Sequence, residues 1–179
     1  MLKRIAAILL VVLSFSLTSC VSGVNGLKSY VDTADGYQFL YPNGWVPLKV
    51  SSGPDVVFRD LIEQTENVSV VISPVNGNKT LAELGSPSEV GYRLSKSAIA
   101  PPDSGREAEL VNAEAREAGA KTYYLLEYAV KLPNQLRHNL ASVAVSRGKL
   151  FTINISATED RWPKSKELFE KVIKSFSVY

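Results

Sequence analysis

The stretch from Leu136 to Ala157 constrains the fold of this chain more than any other. Two runs rich in β-branched and apolar residues, Leu136 to Ser146 and Lys149 to Ala157, flank the pair Arg147-Gly148. A two-residue link between such runs closes a β-hairpin, and its length fixes the register of the two strands. Ser146 then faces Lys149, and counting back along both arms sets His138 opposite Ala157. Around this hairpin the chain alternates in the same antiparallel manner. Tyr37, Phe39 and Tyr41 share one side of a strand that Pro42-Asn43-Gly44 stops, Trp45 opens the return, and Val56 to Leu61 and Asn67 to Ser73 supply two more β-branched strands. A further hairpin around Gly119 is predicted, with Tyr123 to Leu132 as its second arm.

Two segments change period. Ser86-Pro87-Ser88-Glu89 has a capping serine, a proline at the first helical position and a glutamate three residues after the cap. This opens a helix predicted to run toward Ala100, where Pro101-Pro102 ends it. From Pro163 to Phe176, the residues Leu168, Phe169, Val172, Ile173 and Phe176 form one apolar stripe, the mark of an amphipathic helix. Strands, a helix, more strands and a terminal helix describe an α+β domain: an antiparallel sheet of about six strands sandwiched between α-helices.

The front of the chain reads differently. Lys3 and Arg4, the apolar run Ile5 to Leu13 and a row of small residues up to Cys20 have the layout of a secretory signal. As a helix, Ile5 to Leu17 would reach only ~20 Å against a hydrocarbon core of ~30 Å, so removal is expected in place of spanning. Leu17-Thr18-Ser19-Cys20 looks like a bacterial lipobox, which makes Cys20 a lipidation site and the first residue of the mature chain. Each buried CH₂ adds ~0.8 kcal/mol, so a multiply acylated cysteine is a lasting membrane anchor. The expected organisation is a cleaved signal at residues 1–19, a flexible lipid-anchored linker at 20–29 and one domain at 30–179.

The bulk numbers exclude several functions. Of 179 residues, 20 are basic and 18 acidic, and loss of Lys3 and Arg4 with the signal leaves 18 of each. A neutral domain without basic runs argues against nucleic acid as a partner. Cys20 is the single cysteine, so the mature domain has no internal disulfide, thiolate metal site or cysteine nucleophile. The core must stabilise it alone. No G-x-S-x-G elbow, phosphate-binding glycine loop, H-E-x-x-H or dinucleotide fingerprint occurs. A Ser-His-Asp triad would have to use the single histidine, His138, and nothing marks its serine.

His138 has another candidate role. With His138 opposite Ala157, Glu159 is its diagonal neighbour on the same face, ~7 to 8 Å away between backbones, within reach of a shared divalent ion. Asp160 adds an oxygen if the strand ends before it. Two or three ligands fall short of the four that a structural zinc requires, so no cofactor is required and any zinc or calcium would be held at low occupancy. Arg161, Lys164, Lys166, Lys171 and Lys174 gather positive charge near the terminal helix and form a candidate partner-binding surface.

The segments DGYQFLYPNGW, NVSVVISPV, LGSPSEVGYRL, TYYLLEYAV and HNLASVAVSRGKLFTINISATEDRW, with the closing KSFSV, together resemble the PsbP family of photosystem II extrinsic proteins, and within it the cyanobacterial lipoprotein branch. The match runs in order from Tyr30 to Tyr179. It implies a sheet between helices, in agreement with the pattern above. It also implies a non-catalytic, monomeric accessory protein that binds photosystem II subunits on the lumenal side of the cyanobacterial thylakoid membrane and supports assembly or stability of the oxygen-evolving centre. His138 matches a family histidine, and Glu159 stands where plant members have an aspartate, a pair that looks like a divalent-metal site in that family. Arg161, Trp162 and Lys164 match a basic segment before the last helix, whereas Asp160 replaces a lysine. The short linker departs from the extended N-terminal segment with which plant members influence calcium and chloride retention, so assembly is the role expected here. Two alternatives remain open at this level: a metal-dependent envelope enzyme centred on His138 and Glu159, and a small-ligand-binding lipoprotein using Tyr37, Tyr41, Trp45, Tyr123 and Tyr124.

Overall fold

The computed structural model describes residues 26–179, so the signal segment and Cys20 lie outside the described residues. In chain order the elements are β1 (Leu27–Asp32), β2 (Tyr37–Pro42), β3 (Trp45–Pro47), β4 (Val56–Asp60), β5 (Asn67–Pro74), α1 (Pro87–Leu94), β6 (Glu107–Ala118), β7 (Lys121–Leu132), β8 (Gln135–Ser146), β9 (Lys149–Thr158), α2 (Trp162–Ser175) and β10 (Ser177–Val178), with short 3₁₀ turns between β5 and α1. The principal sheet has seven strands in the order β3-β4-β5-β9-β8-β7-β6, and β1, β2 and β10 form a separate three-stranded sheet. Every strand pair is antiparallel. Among the described residues no helix is long and apolar enough to cross a membrane.

Arg147 and Gly148 both have positive φ, 50° and 69°, the backbone a tight hairpin turn requires. His138 accordingly faces Ala157. The hairpin around Gly119 is present as well, with Ala118 opposite Lys121. One expected boundary moves. The ordered chain starts at Leu27, not Tyr30, because Leu27 is buried in the core and β1 pairs along its length with β2. The main sheet, with seven strands, agrees with the expected sheet of about six. The last two strand residues, Ser177 and Val178, pair with Gln38 and Tyr37, a contact between the two ends of the chain that local pattern does not carry.

Alternation along β7 explains the layering. Tyr123 and Leu125 point into a cluster with Phe39, Phe151, Phe169 and Phe176 beneath α2, whereas Tyr124, Leu126 and Tyr128 point into a second cluster with Val90 beneath α1. Strands that bury both faces read as nearly continuous apolar runs, as TYYLLEYAV does. The two helices therefore cover opposite faces of one sheet. Helix α1 begins with the expected capping box: Glu89 N–H donates to Ser86 Oγ at 3.3 Å and Ser86 N–H to Glu89 Oε2 at 2.8 Å. It widens after Leu94 into a turn in which the Ala100 N–H donates to the Ser95 carbonyl at 2.9 Å, so the regular helix is shorter than expected. Gly91 lets α1 lie close to the sheet: a Cβ there would come within 2.9 Å of the Leu110 methyls, and the buried Tyr128 hydroxyl donates to the Gly91 carbonyl at 3.0 Å.

Ser86→Ala removes one half of the capping box and is expected to lower stability by about 1 kcal/mol in denaturant unfolding; an unchanged midpoint would contradict the role given to the cap.

Candidate functional site

His138 lies on the α2 face of β8, 8% exposed. The face follows from the hairpin register, and three further elements complete the surroundings. Glu159, just past the end of β9, puts Oε2 3.1 Å from His138 Nδ1. Its own backbone N–H donates to the Leu136 carbonyl at 3.0 Å, which ties the end of β9 to β8. From β7, Glu127 puts Oε1 2.7 Å from His138 Nε2. Trp162, the first residue of α2, stacks on the imidazole with ring centroids 4.0 Å apart and an 11° interplanar angle. The ring is thus held at both nitrogens and on one face.

The chemistry of this arrangement follows from the ligand types. A carboxylate accepts and cannot donate, so each contact needs a proton on the ring nitrogen it faces. A ring protonated at both nitrogens donates to both carboxylates, whereas a neutral ring satisfies one contact and leaves a lone pair facing the other carboxylate unless a cation lies between them. If Nε2–H donates to Glu127, which is the more buried and closer carboxylate, Nδ1 presents its lone pair beside Glu159. Metal-ligating histidines commonly donate their other N–H to a carboxylate in this way. With a neutral ring the residues fit a divalent ion held by His138 Nδ1 and Glu159, with Glu127 positioning the ring. The site borders a cleft of about 870 Å³ that Arg106, Lys131 and Arg137 also line.

Asp160 follows in the turn, exposed, and among the described residues it makes no hydrogen bond or ion pair with His138 or Glu159. The terminal cations are mostly engaged within the domain. Arg161 Nε donates to Glu66 Oε1 at 2.5 Å and its Nη1 to Glu63 Oε1 at 3.2 Å, and the bond to Glu66 raises its already high pKa. Lys171 pairs with Glu167 at 2.8 Å and Lys174 with Glu170 at 3.0 Å, each one helical turn apart. Lys166 lies 4.0 Å from Glu127 and above the Trp162 ring. Lys164 is exposed and has no ion pair among the described residues. The expected single-sign surface is therefore largely compensated, because Glu167 and Glu170 alternate with the lysines.

The aromatic set does not line one pocket. Tyr37, Trp45 and Tyr123 belong to the core beneath α2, Tyr41 packs against it, and Tyr124 lies on the other face of the sheet. A second acidic group, Asp32, Asp35 and Asp55, brings oxygens within 4.8 Å of one another at the opposite end of the molecule. Its members are already occupied: Asp32 caps the turn at Ala34 and Asp35, Asp35 pairs with Lys149 at 2.7 Å, and Asp55 accepts from the Tyr37 hydroxyl.

Arg161 also braces the β4–β5 loop against the start of α2. In that loop Asp60 accepts from the Ile62 and Glu63 N–H groups at 2.6 and 2.9 Å and from the Trp45 indole at 2.8 Å. Burial pushes its pKa up, but these donors and the Arg161 charge outweigh it, and the net value lies below the ordinary 3.8.

Sheet, helices and site together define the class of this protein: the chain belongs to the PsbP family, whose model matches residues 25–178. It is 52% identical to CyanoP from Thermosynechococcus vestitus over the full length of both chains. It is 49% identical to CyanoP from Synechocystis over 99% of this chain and 97% of that one. The solution structure of the Synechocystis protein superposes with a TM-score of 0.75, covering 92% of this chain and 99% of that chain.

A depressed carboxyl stabilises the fold above its unfolded pKa, and the contribution disappears as pH falls through the folded value. Asp60→Asn is therefore expected to cost ~1 kcal/mol at neutral pH, with the gap to the wild type closing below pH 3.8; a gap that persists in acid would contradict the assignment.

Proposed function

We propose that this chain is a non-catalytic, lipid-anchored accessory protein that binds the lumenal side of photosystem II or its assembly intermediates and supports assembly and stability of the oxygen-evolving centre. The observation that carries this reading is the 52% identity with CyanoP across the whole of both chains, within a family of photosystem II extrinsic proteins. The lipobox-like Leu17–Cys20 supports the anchor, and the likeness to CyanoP supports a seat at the lumenal face of the cyanobacterial thylakoid membrane. A compact, formally neutral domain suits action by contact as a monomer. Cysteine is absent from residues 21–179, and among the described residues both ring nitrogens of His138 face carboxylates and no serine hydroxyl bonds to either. This favours a binding module over a hydrolase. Affinity purification from thylakoids followed by crosslinking and mass spectrometry is expected to recover reaction-centre subunits linked to this chain; recovery of none would contradict the proposal.

The second part of the reading concerns metal. His138 and Glu159 would hold a divalent cation such as zinc or calcium, with Nδ1 and a carboxylate oxygen from this chain and the remaining positions left to water or to a partner. Bound there, the ion would bridge surfaces and would not by itself provide a reaction. In zinc titration calorimetry His138→Ala is expected to abolish uptake, and Glu127→Gln to weaken it roughly 10- to 100-fold by releasing the ring orientation. Equal affinity in all three proteins would remove the site.

A further inference from the structure

The described chain starts at Gly26, and its position in the fold is informative. The Asn43 N–H donates to the Gly26 carbonyl at 2.8 Å, Asn43 lies in the turn that leads to Trp45, and Trp45 pairs with Asp60 across β3 and β4. The next two residues are Leu61 and Ile62. The point where the chain enters the domain and the β4–β5 loop are thus neighbours at one end of the molecule.

That loop opens with two exposed apolar residues before its polar stretch Glu63 to Glu66. Ile62 is 87% exposed, the largest exposure of any large hydrophobic residue among the described residues, and Leu61 is 58% exposed. Leu136, also 58% exposed, stands at the same end: Asn67 faces Ser156 on β9, and Arg137 faces Thr158 across β8 and β9. The tip is held in place and not merely left out. Asp60 ties it to the buried Trp45, and Arg161 fastens the loop to α2. Three acids, Asp60, Glu63 and Glu66, stand beside the tip against two cations: Arg137, whose Nη2 donates to the Thr65 carbonyl at 2.5 Å, and Arg161, which donates to both glutamates. Lys164 follows one helical turn later. A firmly presented pair of apolar side chains, with Arg161, Arg137 and Lys164 set against the neighbouring acids, suits a group that enters the headgroup region of a bilayer.

We infer that Leu61 and Ile62 form a second membrane contact beside the acylated Cys20 and orient the domain with this end toward the lipid. The inference rests on the lipid anchoring proposed above. Cys20 is six residues from Gly26, a span of at most about 20 Å when extended, so the anchor holds this end and no other against the surface. The covered surface is lipid, not a protein groove, because the tether brings the tip to the bilayer irrespective of any partner.

The single cysteine makes the test direct. In the acylated full-length chain Cys20 is blocked, so Ile62→Cys provides one reactive thiol for an environment-sensitive dye, and Ala120→Cys, in the β6–β7 turn at the opposite end, provides the control. On phosphatidylcholine–phosphatidylglycerol vesicles the dye at 62 is expected to shift to the blue and to be quenched several-fold more by spin-labelled lipid than the dye at 120. Mass spectrometry of the same samples reports acylation. A chain without acyl groups overturns both the anchoring and the docking. An acylated chain whose dye at 62 stays in water overturns the docking alone. Shielding at 62 on native thylakoids but not on protein-free vesicles assigns the tip to a protein partner and likewise overturns it.

Discussion

The register of the β8–β9 hairpin is the constraint on which the rest depends. Side chains alternate faces along a strand, so a slip of one residue would carry His138 from the α2 face to the opposite one. It would lose Glu159, Glu127 and the Trp162 ring together. The turn at Arg147-Gly148 prevents this, because two consecutive residues with positive φ close the strands with no residue to spare. The same register sets Phe151, Ile153 and Ile155 beneath α2, so the geometry that builds the core also builds the site.

This is why much of the architecture was legible in the sequence. Once the turn length was read, the pairing of His138 with Ala157 and the diagonal approach of Glu159 followed by counting. The capping box of α1 and the apolar stripe of α2 were legible for the same reason, that local spacing carried the information. Glu127 was within reach of the same count. Pro133-Asn134 is also a two-residue link, it sets His138 opposite Ala129, and Glu127 is then the mirror-image diagonal of Glu159. The stacking of Trp162 required knowing how the chain turns from β9 into α2, which strand counting does not supply.

Other features were hidden for physical reasons. Leu27 sits in a segment whose small and polar neighbours suggest a loose linker, yet one buried leucine and a ladder to β2 draw the segment into the fold. The pairing of β10 with β2 joins residues about 140 positions apart, and no periodicity reports contacts of that separation. The cations of α2 look like a surface field when counted alone. With Glu167 and Glu170 one turn away, and with Glu63 and Glu66 arriving from the β4–β5 loop, most of that field closes on itself.

The consequence is a protein whose distinctive chemistry gathers at one end. The entry of the chain, the apolar tip at Leu61 and Ile62, the Arg161 clamp and the His138 site all lie there, whereas the opposite end carries ordinary turns and satisfied carboxylates. With the lipid anchor proposed above, such an arrangement would serve short-range contact steered by a tether and not by net charge. Single-particle reconstruction of photosystem II assembly complexes isolated through a tagged copy of this chain tests that most directly. The account predicts density for the domain on the lumenal face with the β4–β5 loop turned toward the bilayer, and a domain seated with that loop facing the aqueous lumen would contradict it.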